Sequence, residues 1–177
     1  MADYIYINPE YEALLRRHGL VDLARLLQWS TGDLIGEHGP RTTWRVTLDD
    51  PRGRSGVFYI RQESWIPWGE VLEDLGQFRR PASRALKTLR ATELFSAAGI
   101  AVAPLCGLIE RRFLDRPTRA AAVQAHAPGQ DLYALLRSFG RPGHRTDNPP
   151  ARQRLLRELG ELLARIGRAR VHWPDLV

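Results

Sequence analysis

Two short runs in the first half of the chain alternate apolar and polar residues with a turn between them, and no other feature restricts the fold as much. Trp44, Val46 and Leu48 are separated by Arg45 and Thr47, the period of two that puts apolar side chains on one face of a strand. Asp50-Pro51-Arg52-Gly53 carries the residues of a tight turn, and Gly56 to Arg61 is strand-like again. The pattern predicts a hairpin, and hence an antiparallel sheet. Further strands are expected over Ile100 to Val102, Leu105 to Phe113 and Arg119 to Ala125, with a turn at Asp115-Arg116-Pro117. Between the hairpin and these strands, residues 64–81 read as a loop plus a short helix. A longer helix then runs to about Ala98, with Ser83 as its N-cap and Gly99 as its stop. The fold class is α+β: a predominantly antiparallel sheet with one inserted helix.

Both ends of the chain read as helical. Over residues 9–28, Tyr11, Leu14, Leu15 and His18 share one helical face, Gly19 breaks the run, and Val21, Leu23, Leu26 and Leu27 continue it. Residues 1–35 are therefore expected to form an N-terminal helical accessory segment. After Pro128-Gly129 the pattern gives a helix over Asp131 to Phe139, a biased loop over 140–150, and a long helix from Ala151 to Arg170. Leu155, Leu156, Leu159, Leu162, Leu163 and Ile166 form an apolar stripe on that last helix, opposite arginines and glutamates. Such a stripe expects a helical partner, and its Leu155-Leu159-Leu162-Leu163-Ile166 face is the candidate surface for a protein partner.

Composition narrows the function classes. The chain of 177 residues carries a formal charge of +6, and Lys87 is its only lysine, so the positive charge is nearly all arginine. Arginine's planar fork suits phosphate, nucleic acid and anionic lipid. The arginines are scattered, however, without the block or stripe of a nucleic-acid reader, which argues against that partner. The single cysteine, Cys106, excludes an internal disulfide and a cysteine-based zinc cluster. His18, His38, His126, His144 and His172 show no metal-ligand spacing, and neither a Walker loop nor a nucleophile elbow is present. No run of about 20 apolar residues and no secretory signal is found. The expected address is cytoplasmic, with at most peripheral contact with the inner membrane.

The order of these pieces resembles a protein-kinase-like N-lobe followed by the first helices of a C-lobe. The residues that sharpen the resemblance are Gly39-Pro40-Arg41-Thr42-Thr43-Trp44-Arg45-Val46, Phe58-Tyr59-Ile60-Arg61-Gln62, the Trp65/Trp68 pair, Ala98 to Pro104, and the terminal Pro174-Asp175-Leu176. Together they resemble the lipopolysaccharide core kinase family, whose members use ATP and magnesium to phosphorylate inner-core sugars (heptose or Kdo). The resemblance implies an N-lobe over 36–127, the beginning of a C-lobe over 128–177, ATP and magnesium as cofactors, and a lipopolysaccharide core sugar as acceptor.

The resemblance also assigns roles, and several are filled by unusual residues. Gly36 to Thr43 would be the phosphate-covering turn, with Gly36 and Gly39 letting backbone N–H groups face an anion. The family's ATP-gripping lysine falls on Arg61, a non-conservative change at a phosphate clamp. Lys87 is read as facing solvent, and Glu93, in place of the usual lysine partner, as a surface charge paired with Arg90 or Arg84. Val123 to His126 would be the hinge that reads adenine, with Gln124 and His126 as its site residues. Asp175 would accept the substrate hydroxyl's proton, preceded by Trp173 and Pro174 where the motif has histidine and arginine. As read, the chain ends before the family's magnesium-holding motifs, so no metal ligand is assigned and the isolated chain is expected to be an inactive kinase. Two alternatives stay open: a noncatalytic kinase-like module, a pseudokinase that binds nucleotide or a protein partner, and an arginine-rich domain for nucleic acid or anionic lipid.

Overall fold

The computed structural model describes residues 2–127 and 149–168. Six strands form one antiparallel sheet: β1 (Ala2–Ile7), β2 (Asp33–His38), β3 (Arg41–Asp49), β4 (Ser55–Glu63), β5 (Leu105–Phe113) and β6 (Arg116–Ala125), in the spatial order β1-β5-β6-β4-β3-β2. The predicted hairpin is β3–β4, paired from Arg41↔Glu63 to Asp49↔Ser55. Its turn is held by Asp50, whose carboxylate accepts from the backbone N–H groups of Arg52 and Arg54, both at 2.8 Å.

Each face of the sheet is covered by helix. On one side α1 (Glu12–Arg17) and α2 (Leu23–Leu27) bring Leu14, Leu15, Leu23 and Leu26 against Val46, Phe58, Ile60, Ile109 and Val123. On the other side α4 (Arg84–Ala97) brings Ala85, Leu86 and Leu89 against Leu105, Leu108, Ala120 and Ala122. The small Ala120-Ala121-Ala122 run lets both layers approach β6 closely. Gly107 does the same on β5, because a Cβ there would stand 2.8 Å from Leu15 Cδ1. A register shift between Leu105 and Gly107 lets Leu105 and Leu108, three residues apart, both face α4.

Several sequence expectations change. Residues 1–35 are not only helical: their first segment is β1, which pairs with β5 from Ala2↔Arg112 to Ile7↔Gly107, and their last residues start β2. Ile100 to Val102 is not a strand; these residues connect α4 to β5 with no regular structure. Other expectations hold: the stretch at 64–81 is a loop with a short helix, α3 (Trp68–Gly76), and α4 begins at the Ser83 cap, whose Oγ accepts from Leu86 N at 3.1 Å. The long C-terminal helix, α5, spans Pro149–Arg168, with Leu156 and Leu163 more than half exposed. The expected helix over Asp131 to Phe139 and the segment around Asp175 lie outside the described residues.

Candidate functional site

The strand period places Tyr59, Arg61 and Glu63 on the α4 side of the sheet, opposite Ile60 and Gln62 on the side of α1 and α2. Gln62 has a structural task there. Its amide donates to Leu26 O at 2.6 Å and Trp29 O at 2.8 Å, satisfying carbonyls at the end of α2. Arg61 instead faces a cavity of about 430 Å³ beneath the β2–β3 hairpin, lined also by Gly36, Thr43, Glu63, Thr88 and Gln124.

Arg61 carries the chemistry of this cleft. Its side chain opens onto the cavity, yet the surrounding walls desolvate it and hold its proton affinity below that of ordinary arginine. A guanidinium stays charged even so. Among the described residues no carboxylate pairs with it. The other cations of the cleft are engaged: Arg41 binds Glu70 at 2.5 Å and lies 3.6 Å from Glu63, and Arg84 lies 3.7 Å from Glu70. Glu63 turns from Arg61 to the start of α4, accepting from Ala85 N at 2.9 Å and Arg84 N at 3.4 Å. Burial pushes its carboxyl above the ordinary glutamate range, against the opposing pull of those N–H groups and of Arg41.

The remaining expected site residues are spread out. Gly39 sits in the hairpin turn with φ 58 and does not line the cavity. The expected phosphate-covering turn is narrow, because Gly36↔Thr43, Glu37↔Thr42 and His38↔Arg41 are paired in the ladder, leaving Gly39-Pro40 as the only unpaired residues. In the stretch expected to be the hinge, Ala125 N donates to Pro104 O and His126 N to Val57 O, so both are already used. The Gln124 amide donates to Ala103 O at 3.2 Å, and the His126 ring meets the Tyr59 hydroxyl at 3.1 Å. Asp175 lies outside the described residues. Lys87 does not face solvent freely: it pairs with Asp74 of α3 at 2.7 Å. Glu93 is exposed and makes no ion pair with Arg90 or Arg84 among the described residues.

Sequence reasoning overlooked Arg41, Glu63, Glu70 and Thr88. Glu63 was accessible to it, since a residue two after Arg61 on a strand must share its face. The partners across the sheet and from α3 depend on tertiary approach and left no local trace.

A hairpin, a strand bearing a cation over a cleft, an inserted helix beside it and two further strands are compatible with a kinase-like N-lobe. No protein-family model and no curated protein sequence matches the chain. Among solved structures it is similar to WaaP, determined in complex with acyl carrier protein, at 17% identity and a TM-score of 0.52, over 80% of this chain and 48% of that one. The likeness establishes a distant kinase-like relationship in fold. The chain spans about half the length of the WaaP chain it matches.

Proposed function

We infer that the cleft receives the phosphates of a nucleotide against Arg61, and that the chain supplies the nucleotide-gripping lobe of a lipopolysaccharide-kinase-like phosphotransferase. One observation carries the reading: a cation that opens onto a cavity between the hairpin and the inserted helix has no carboxylate partner among the described residues. A phosphate oxygen is the natural counter-charge for it, and the planar fork can meet two oxygens at once. ATP fits this donor set at its phosphate end. No group of three or more His, Cys, Asp or Glu stands together as metal ligands among the described residues, so no step is assigned through magnesium.

ATP supplies the phosphoryl group that the family transfers to an inner-core sugar. The residues of this chain bind and orient it: Arg61 neutralises phosphate charge, the β2–β3 hairpin roofs the cleft, and Thr88 and Ala85 of α4 form its wall. Titration calorimetry with ATP, with and without magnesium, tests the reading. A charge-assisted hydrogen bond of about 1.5–3 kcal/mol corresponds to a loss of roughly 10- to 150-fold on Arg61→Ala. Equal affinity in parent and Arg61→Ala, or no binding by the parent, would sink it.

A second reading, a noncatalytic module, is favoured by one feature. No carboxylate on α4 meets Arg61, and Glu63, the acid nearest in register, is committed to capping α4. That reading expects nucleotide binding without transfer to a lipopolysaccharide core acceptor, whereas the first expects transfer; a labelled-phosphate transfer assay separates the two. WaaP's complex with acyl carrier protein motivates a protein partner here as well, for which the exposed leucines of α5 are the candidate face.

A further inference from the structure

Helix α3 presents its apolar stripe to solvent. Trp68, Leu72 and Leu75 recur at helical spacing, and with Trp65 just before the helix each is more than half exposed. The inward side of the helix is carried by Val71 and Asp74, both buried. Gly69 and Gly76 flank the stripe, and nothing lies within 4 Å of where their Cβ atoms would stand. Among the described residues, the stripe is therefore uncovered at both glycines. Phe78 forms its tip. It is as exposed as in an isolated peptide and sits at φ 55, a left-handed conformation that costs a bulky residue energy. A large aromatic side chain held in water on a strained backbone points to a surface that becomes covered.

The chemistry beside the stripe says what covers it. A cavity of about 280 Å³ opens at the end of α3, lined by Arg79, Arg80, Lys87 and Arg90, with Asp74 as its only acid. Asp74 is taken up by Lys87 at 2.7 Å, and Arg80 also reaches Asp115. Arg90 makes no ion pair among the described residues. Arg116 adds a further cation, stacked 3.3 Å over the Trp68 ring. The exposed acid of α3, Glu73, lies about 140° round the helix from Trp68 at 100° per residue, away from the stripe. Tryptophan, leucine and phenylalanine projecting from a short helix, bordered by arginines around an open basic cavity, match the interface of a bilayer with anionic headgroups. No described helix is long and apolar enough to cross a membrane.

We propose that α3, its Phe78 tip and the adjoining basic cavity form a docking surface for an anionic lipid bilayer. The apolar stripe enters the boundary between headgroups and acyl chains, and the cavity takes an anionic headgroup. The inference is independent of the nucleotide site, and its test needs no nucleotide.

The test is flotation of the full chain with phosphatidylcholine vesicles, with and without phosphatidylglycerol, together with tryptophan emission. The parent floats with the anionic vesicles only, its emission shifts to the blue, and added salt releases it. Phe78→Gly removes the apolar tip and also relieves the left-handed strain, so the variant melts no lower than the parent while its vesicle partition falls about tenfold. Arg90→Glu lowers partition by roughly fivefold or more. Any of three results overturns the proposal: no flotation of the parent, equal flotation with neutral vesicles, or unchanged partition in both variants. A stable dimer that Phe78→Gly splits would also overturn it, assigning the surface to a second copy of the chain.

Discussion

Removing the Glu110 carboxylate should destabilise the protein more than most single substitutions. Glu110 is 0% exposed on β5, and its two oxygens are both used: one accepts from Ser83 N at 2.7 Å, the other from Arg112 Nε at 2.6 Å. Arg112 in turn donates to Asp115 O and Pro81 O, each at 3.0 Å. The pair therefore ties the start of α4 to the β5–β6 turn. Glu110→Ala leaves the buried Ser83 N–H without its acceptor and the Arg112 guanidinium with only the exposed Asp115 carboxylate, 3.5 Å away, as counter-charge. Breaking a buried pair from one side costs about 3–5 kcal/mol. Because Arg112 keeps two carbonyl partners, the lower part of that range, about 3–4 kcal/mol, is expected. At roughly 2–4 °C per kcal/mol for a chain of this size, Tm falls by about 6–16 °C. Urea and thermal unfolding of Glu110→Ala, Arg112→Met and the combined Glu110→Leu/Arg112→Met variant form the assay. The double variant should regain much of the loss, since an apolar pair of similar volume removes the stranded charge. A Glu110→Ala protein that unfolds within about 1 kcal/mol of the parent, or a double variant worse than the sum of the singles, would refute the reasoning.

Three further outcomes follow from the same geometry. Burial raises the Glu63 carboxyl above its unfolded value, so its contribution to stability is fully present below the unfolded glutamate range of about 4.3 and is lost as pH rises through the higher folded value. Urea unfolding across mildly acidic pH should show the parent losing stability relative to Glu63→Gln as pH increases, and the opposite slope would contradict the assignment. Gly32 has φ 109, and a Cβ there would stand 2.4 Å from Arg45 O, so Gly32→Ala should cost roughly 2 kcal/mol in thermal unfolding. The Cys106 thiol is pushed up to about 12 by burial, so a disulfide reagent at pH 8 should label it only at the rate of unfolding; prompt labelling of the folded protein would count against its burial.

The parts of the fold that depend on local pattern were legible in the sequence. The β3–β4 hairpin, the Ser83 cap, the end of α4 before Gly99 and the helices around Leu14 and Leu26 all follow from period, cap and turn chemistry. What escaped was decided at long range. Tyr4-Ile5-Tyr6-Ile7 lacks alternation, and only pairing with β5, more than a hundred residues away, makes it a strand. Ile100 to Val102 has strand-like residues but no neighbouring strand to bond. At the candidate site, Arg61 was identifiable by its strand position. Its lack of a carboxylate partner was not, because that depends on Glu63 being drawn to the start of α4 and on Glu70 being held by Arg41. Many of the arginines that made the composition look like that of an anion binder are spoken for by neighbouring acids, among them Arg16, Arg54, Arg80, Arg111 and Arg112.

The pairing of β1 with β5 also bears on how the protein is made. During synthesis the first strand leaves the ribosome about a hundred residues ahead of the segment that will hydrogen-bond to it. Domains assemble as their elements emerge, and distant pairings form slowly. Residues 2–7 must therefore wait, unpaired and rich in tyrosine and isoleucine, until β5 has emerged.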